Sequence, residues 1–189
     1  LYMREKHRIV TTIEDDTVFI YNEDMGLWCG DGETTIRTEL DQQLGNYATV
    51  NLKNWTIEHI KDTTRIRRDR FNAKKDIFPV ANGIIDLATN PPHLRPYAPQ
   101  DLLTYKQPVI YDPAARCPRF DQFLQEILPR EDPEQIHETI AQCIDPTFPT
   151  ETATMCIGDG DNRKSVLLNV ITAFLGRRNV STITLQQLT

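Results

Sequence analysis

No apolar run in this 189-residue sequence approaches the roughly 20 residues needed to cross a bilayer, and its first 30 residues lack the basic, apolar and small-residue order of a signal peptide. A cytoplasmic protein with no membrane partner is expected. Cys29, Cys117, Cys143 and Cys156 are scattered without a Cys-x-x-Cys pair, which signals neither a zinc knuckle nor a disulfide framework and predicts reduced, mostly buried thiols. His7, His59, His93 and His137 lie far apart and beside no Cys or acidic cluster of ligand spacing, so a metal site built on them is not expected. Asp15-Asp16 and Glu23-Asp24 read as turn and surface carboxylates rather than an acid/base pair. Internal repeats and low-complexity tracts are also absent. An excess of positive charge is missing as well: 21 Lys and Arg against 27 Asp and Glu leave −6, which excludes a uniformly basic nucleic-acid coat protein. Contact with nucleic acid would have to be a local patch.

What is present is a globular composition, 39% hydrophobic and 25% charged, in a length that suits one domain or a little more. Thr17 to Tyr21 is β-branched and aromatic, and turn chemistry at Asn22-Glu23-Asp24-Met25-Gly26 precedes Leu27-Trp28-Cys29, which predicts a hairpin. Ile36, Leu40 and Leu44 recur at a spacing of four and stop at Gly45, as in a short amphipathic helix with a glycine cap. A further helix is expected over 54–64, with Trp55, Ile57 and Ile60 apolar. Lys61, Arg65, Arg67, Arg68, Arg70, Lys74 and Lys75, against Asp62 and Asp69, make a local net of +5. This segment is either a nucleic-acid contact or a solvated charged face. Phe78-Pro79-Val80, Asn82-Gly83 and Ile84 to Leu87 predict a second hairpin with a type I′ turn, followed by proline-rich extended connectors.

From Pro118 the register becomes helical. Phe120, Phe123, Leu124, Ile127 and Leu128 form one stripe, with Pro118 at the first position and Pro129 as the stop. A second helix is expected from Asp132 as N-cap and Pro133 at the first position, with Ile136, Ile140, Cys143 and Ile144 as its apolar face. Asp145 to Thr152 reads as loop. Thr152 to Ile157 then reads as a buried strand that runs into Gly158-Asp159-Gly160-Asp161-Asn162-Arg163-Lys164-Ser165, and Val166, Leu167, Val170, Ile171, Phe174 and Leu175 mark a helix ending at Gly176.

Strand, glycine-rich turn, Lys-Ser and helix is the order of a phosphate-binding loop, or Walker A motif. In such a loop backbone N–H groups and the positive helix end surround the phosphates. Lys164 would neutralise the β- and γ-phosphates of ATP, and Ser165 would ligate Mg²⁺. One position departs from Gly-x-x-x-x-Gly-Lys-Ser: the second glycine is Arg163, whose side chain threatens the shape of a tight anion nest. The alternative for this segment is an ordinary glycine-rich strand-to-helix turn.

Val80-Ala81-Asn82-Gly83-Ile84-Ile85-Asp86-Leu87, then Tyr111 to Pro118 leading into Phe120-Asp121-Gln122-Phe123-Leu124, then the loop, then Phe174-Leu175-Gly176 through Leu188, follow one another in order. Together they resemble the primase-helicase family of phages, plasmids and large DNA viruses, with a superfamily 3 helicase module and archaeal members on mobile elements. That family writes Gly-x-Gly-x-Asn-Gly-Lys-Ser, matched here at Gly158, Gly160, Asn162, Lys164 and Ser165. Gln142-Cys143-Ile144-Asp145 departs from the glycine and aromatic usual there.

The resemblance implies ATP and Mg²⁺ as cofactors, single-stranded or forked DNA as a partner, a homo-oligomeric ring, and a hydrolase acting in DNA replication of a virus, plasmid or integrated element. Only 25 residues follow Lys164, too few for the acidic strand, sensor and arginine finger of such an ATPase. The expectation is therefore an N-terminal portion without catalytic residues of its own. Its fold class would be mixed α/β and α+β: a region over 1–75, a hairpin and helical region over 76–150, and the incomplete start of a nucleotide-binding domain over 151–189. The alternative function is a non-catalytic DNA-binding or oligomerisation module with a decayed nucleotide site. A small-molecule kinase is disfavoured, because such enzymes generally open with the phosphate strand.

Overall fold

The computed structural model describes residues 3, 6–128, 133–145, 152–157 and 163–187. Five helices and two small sheets occur among them, a mixed α/β arrangement. The chain divides into two compact units, Leu1–Lys74 with Arg95–Lys106, and Lys75–Leu94 with Gln107–Thr189.

In the first unit β1 (Ile9–Thr12), β2 (Val18–Asn22), β3 (Leu27–Cys29) and β4 (Arg65–Ile66) form a sheet in the order β3-β2-β1-β4. The expected first hairpin is there, with Tyr21 opposite Trp28 and Asn22 opposite Leu27. Strand alternation sends successive side chains of β2 to opposite faces. Val18 and Ile20 join Met3, Ile9, Ile36, Leu40, Ile57 and Ile60 in one buried cluster. Phe19 and Tyr21 join Trp28 and Phe71 in another, with Leu102 packed against it. Both faces are thus covered, which is why β2 reads as a continuous apolar run.

The first cluster takes its helical half from α1 (Gly32–Leu44) and α2 (Val50–Thr63). As the fourfold spacing predicts, Ile36 and Leu40 are buried and the cap at Gly45 has a left-handed φ of 51°. Leu44, however, is exposed, because it sits in the last turn, past the buried stretch of the stripe. The second helix starts four residues earlier than its pattern suggests, since the Thr49 hydroxyl accepts a hydrogen bond from the Leu52 N–H and caps it. Within it Ile57 and Ile60 are buried, whereas Trp55 is 67% exposed and stacks on His59 with ring centroids 5.5 Å apart.

The return of the chain at Arg95–Lys106 closes the second face. Asp101, its side chain only 2% exposed, accepts from Arg95 at 2.8 and 3.0 Å and from Lys74 at 2.8 Å. The Trp28 indole N–H donates to the Pro99 carbonyl at 2.9 Å, and the Trp28 backbone N–H to the Leu103 carbonyl at 2.8 Å. Asn72, in a left-handed conformation, bonds Thr104 through both ends of its amide.

In the second unit β5 (Ile77–Val80), β6 (Gly83–Asp86) and β7 (His93–Arg95) form a sheet in that order. The hairpin is as expected but its turn is not. Val80 pairs with Gly83, so Ala81 and Asn82 occupy the turn, and neither has the positive φ that a type I′ turn requires. The Asn82 side chain instead donates to the Tyr111 carbonyl at 3.0 Å and accepts from its N–H at 2.9 Å, which commits it to the neighbouring segment.

The helices α3 (Pro118–Ile127), α4 (Pro133–Ile144) and α5 (Lys164–Leu175) pack around Leu124, Ile136 and Leu167. The stripe starting at Pro118 is the one the sequence predicts; Pro129 and Asp132, expected as stop and N-cap, lie outside the described residues. The thiols depart from expectation, since all four are free but Cys117, Cys143 and Cys156 are exposed. No helix among the described residues is long and apolar enough to cross a membrane.

Burial disfavours the charged Asp101 carboxyl, but hydrogen bonds and charge from Arg95 and Lys74 outweigh this and hold its pKa below the usual carboxylate range. A depressed folded-state value adds stability above the unfolded pKa, about 3.9, and that stability is lost as pH falls through the folded value. Asp101→Ala should therefore lower unfolding stability at pH 7 by about 2–4 kcal/mol in urea, and the gap from the unsubstituted chain should narrow below about pH 4. An undiminished gap at pH 2 would contradict this assignment.

Candidate nucleotide-binding site

The helix α5 begins at the residue that the loop reading requires. Lys164 occupies its first position, half-buried, and Ser165 follows, exposed. The N-terminal end of a helix carries partial positive charge, to which the Lys164 ammonium adds a full one. At the other end Gly176 has a φ of 85°, and a Cβ there would lie 2.9 Å from the Pro108 ring. The expected glycine stop is thus required by both backbone conformation and space. Leu167 is buried against Leu124 and Ile136, whereas Val166, Leu168 and Val170 are exposed.

Arg163 precedes the helix with φ 60° and ψ 16°, the left-handed conformation that glycine adopts without strain. Its carbonyl accepts from the N–H groups of Val166 at 3.0 Å and Leu167 at 3.1 Å, so this conformation starts the helix. Its guanidinium donates to Glu126 on α3 at 2.8 Å, and the other Glu126 oxygen accepts from Gln122 at 3.0 Å. The backbone at 163 therefore has a conformation natural to glycine, and the side chain is directed to a carboxylate.

Gly158, Asp159, Gly160, Asp161 and Asn162 lie outside the described residues. The expected strand before them is not formed: residues 152–157 have no regular secondary structure and are exposed, Met155 by 81% and Ile157 by 85%. A strand needs a neighbouring strand for its backbone groups, and this segment joins neither sheet. Thr154, Met155, Cys156 and Ile157 instead line a cleft of about 320 Å³ with Gln135 and Thr139 of α4 and with Lys164 and Leu167 of α5.

The basic segment belongs to the first unit apart from Lys75. Lys61 bonds Glu33 at 2.5 Å, which raises its pKa despite partial burial. Arg65 pairs with Asp16 at 2.7 Å, Arg67 with Asp69 at 2.6 Å, Arg68 with Asp15 at 2.5 Å and Lys74 with Asp101 at 2.8 Å. Arg70 and Lys75 carry no ion pair among the described residues. Most cations of the segment are thus ion-paired, Arg67 within the segment and Lys61, Arg65, Arg68 and Lys74 with carboxylates elsewhere in the unit, including the Asp15-Asp16 turn. No group of three or more His, Cys, Asp or Glu among the described residues could hold a metal ion.

Residues 3–129 match the family described as D5 N terminal like. The chain belongs to that family. Its members are N-terminal domains of phage and viral D5-like primase-helicases, which places this D5 N-terminal-like chain in a replication context. The match takes in the first unit from residue 3 onward, both hairpins and α3, and ends before Arg163-Lys164-Ser165. Comparison with curated proteins gives no match.

Sequence reasoning missed Glu126 and Asp101. Glu126 lies off the apolar stripe of α3 and reads as a solvent carboxylate; Asp101 sits among prolines that signal only a connector. Each has one near partner, Arg95 or Gln122, but the second partner, Lys74 or Arg163, is remote in sequence and gives no local signal.

Relief of the left-handed strain at Arg163, about 1–2 kcal/mol, opposes the loss of a half-exposed ion pair, about 0.2–1 kcal/mol, and glycine's extra unfolded-state entropy, about 0.5–1 kcal/mol. Arg163→Gly is therefore expected to change stability by less than about 1 kcal/mol. Chemical denaturation of both proteins checks the balance, and a loss above about 2 kcal/mol would mean that the side chain has a larger structural role.

Proposed function

We propose that this chain is the N-terminal portion of an ATP-dependent DNA helicase or primase-helicase serving a virus, plasmid or integrated element, with Gly158 to Ser165 as its phosphate-binding loop. The observation that carries the reading is Lys164 opening α5 directly after a residue in a glycine-like left-handed conformation, in a chain of D5 N-terminal-like family. These residues suit a triphosphate: a helix end with its N–H groups, an ammonium at its first position and a hydroxyl at the second. Lys164 would hold the β- and γ-phosphates, and Ser165 would offer its oxygen to Mg²⁺. The cleft beside Lys164, with apolar walls and the Gln135 and Thr139 side chains, offers room for the rest of a nucleotide. Bound ATP supplies the phosphoanhydride whose hydrolysis drives such motors.

In the intact protein the reading implies a homo-oligomeric ring around single-stranded or forked DNA, in which hydrolysis is completed by residues beyond this set. The paired state of the basic segment supports a secondary role at most for residues 61–75 in DNA contact, with Arg70 and Lys75 its best placed members.

Titration of the chain with Mg²⁺-ATP should show binding that Lys164→Ala weakens more than about tenfold. Equal binding by the two proteins would remove the loop reading. In a salt series with single-stranded DNA, two engaged cations give a log–log slope of about −1.4, whereas engagement of all seven gives about −5. The shallow value is expected, and the steep one would show that the ion pairs open to admit phosphate.

A further inference from the structure

Two features of Arg163 call for a common explanation. An L-residue other than glycine in the left-handed region is disfavoured by about 1–2 kcal/mol, and the side chain responsible is held on a carboxylate 37 positions earlier in the chain. Glu126 has both oxygens engaged, one by Gln122 a turn earlier on α3 and the other by Arg163. The guanidinium fork suits carboxylate and phosphate oxygens alike, and a hydrogen-bonded carboxylate presents it with a planar pair of anionic oxygens. The pair is far from buried, with the arginine side chain 56% and the glutamate 47% exposed, so water and a stronger anion can reach it.

We infer that Glu126 is an internal competitor for Arg163, a carboxylate that a nucleotide phosphate must replace on the guanidinium before Arg163 can contribute to binding at the adjacent Lys164. The inference rests on the phosphate-loop reading of 158–165 and assigns that site a regulator. With the competitor engaged, Arg163 contributes its backbone shape but not its charge. With the competitor removed, the same side chain becomes a second cation beside Lys164. Glu126 acts through Arg163 and is a positioning residue, not a catalytic one.

The test uses the full chain and four proteins: unsubstituted, Glu126→Gln, Arg163→Gly and the double variant, with Lys164→Ala as a control. Mg²⁺-ATP and inorganic pyrophosphate are the probes, and melting temperature without ligand is a second readout. Glutamine keeps the size and hydrogen-bonding capacity of Glu126 and removes its charge. Glu126→Gln is expected to tighten Mg²⁺-ATP and pyrophosphate binding about fivefold with Arg163 present and no more than about twofold in the Arg163→Gly background. It should lower the melting temperature only where Arg163 is retained. Equal tightening in both backgrounds would overturn the inference, since it would reflect simple repulsion of phosphate by Glu126. So would a melting-temperature coupling without any change in affinity, which would leave the pair purely structural while Lys164-dependent binding kept the loop reading intact. Binding that is absent in all four proteins, or unaffected by Lys164→Ala, would remove the loop reading and this inference with it.

Discussion

Burying the Asp101 carboxylate obliges cations to follow it, and the first unit is organised around that requirement. A buried ion without partners is heavily penalised, so Arg95 and Lys74 must converge on it. Arg95 satisfies the carboxylate from within the segment 95–106, and Lys74 ties that segment to the rest of the unit, where Trp28 reaches the Pro99 and Leu103 carbonyls and Leu102 covers the Phe19, Tyr21, Trp28 and Phe71 cluster. Without that segment, one face of a four-stranded sheet would expose three aromatic side chains of a hairpin. The proline-rich composition of the segment suits the role, since an extended strap loses less entropy on docking than a flexible one.

The same logic of remote partners alters the electrostatic reading of residues 61–75. Clustered arginines and lysines signal a phosphate-binding surface only when their charge is uncommitted. Here the carboxylates of Asp15, Asp16, Glu33, Asp69 and Asp101 take up most of it. This chain has a basic sequence segment in which most of the cations are ion-paired. The proposed nucleotide site, in the other unit, shows the converse: Arg163 has the backbone shape of a glycine, but its charge is directed to Glu126.

Much of the fold was legible in short-range pattern. The β-branched and aromatic run from Thr17 to Tyr21, the fourfold spacing of Ile36 and Leu40, and the stripe from Phe120 to Ile127 each specify an element. Pattern misled where a residue had a second commitment. Asn82-Gly83 signals a type I′ turn, but the Asn82 amide is held by the Tyr111 backbone. Trp55 counts as apolar in a helix pattern, yet it lies on the outward face and stacks on His59. Residues 152–157 have strand composition but join neither sheet, and composition cannot make a strand without a sheet to join.

The sequence by itself determined most local elements and the glycine stop at Gly176, because each depends on residues within a few turns of one another. Tertiary structure alone decided which charges are available. Asp101 with Arg95 and Lys74, the carboxylates across the basic segment, and Glu126 with Arg163 are mostly pairs separated by tens of residues. Coulomb attraction acts through space and not along the chain, so only the fold could say which cations remain open to phosphate.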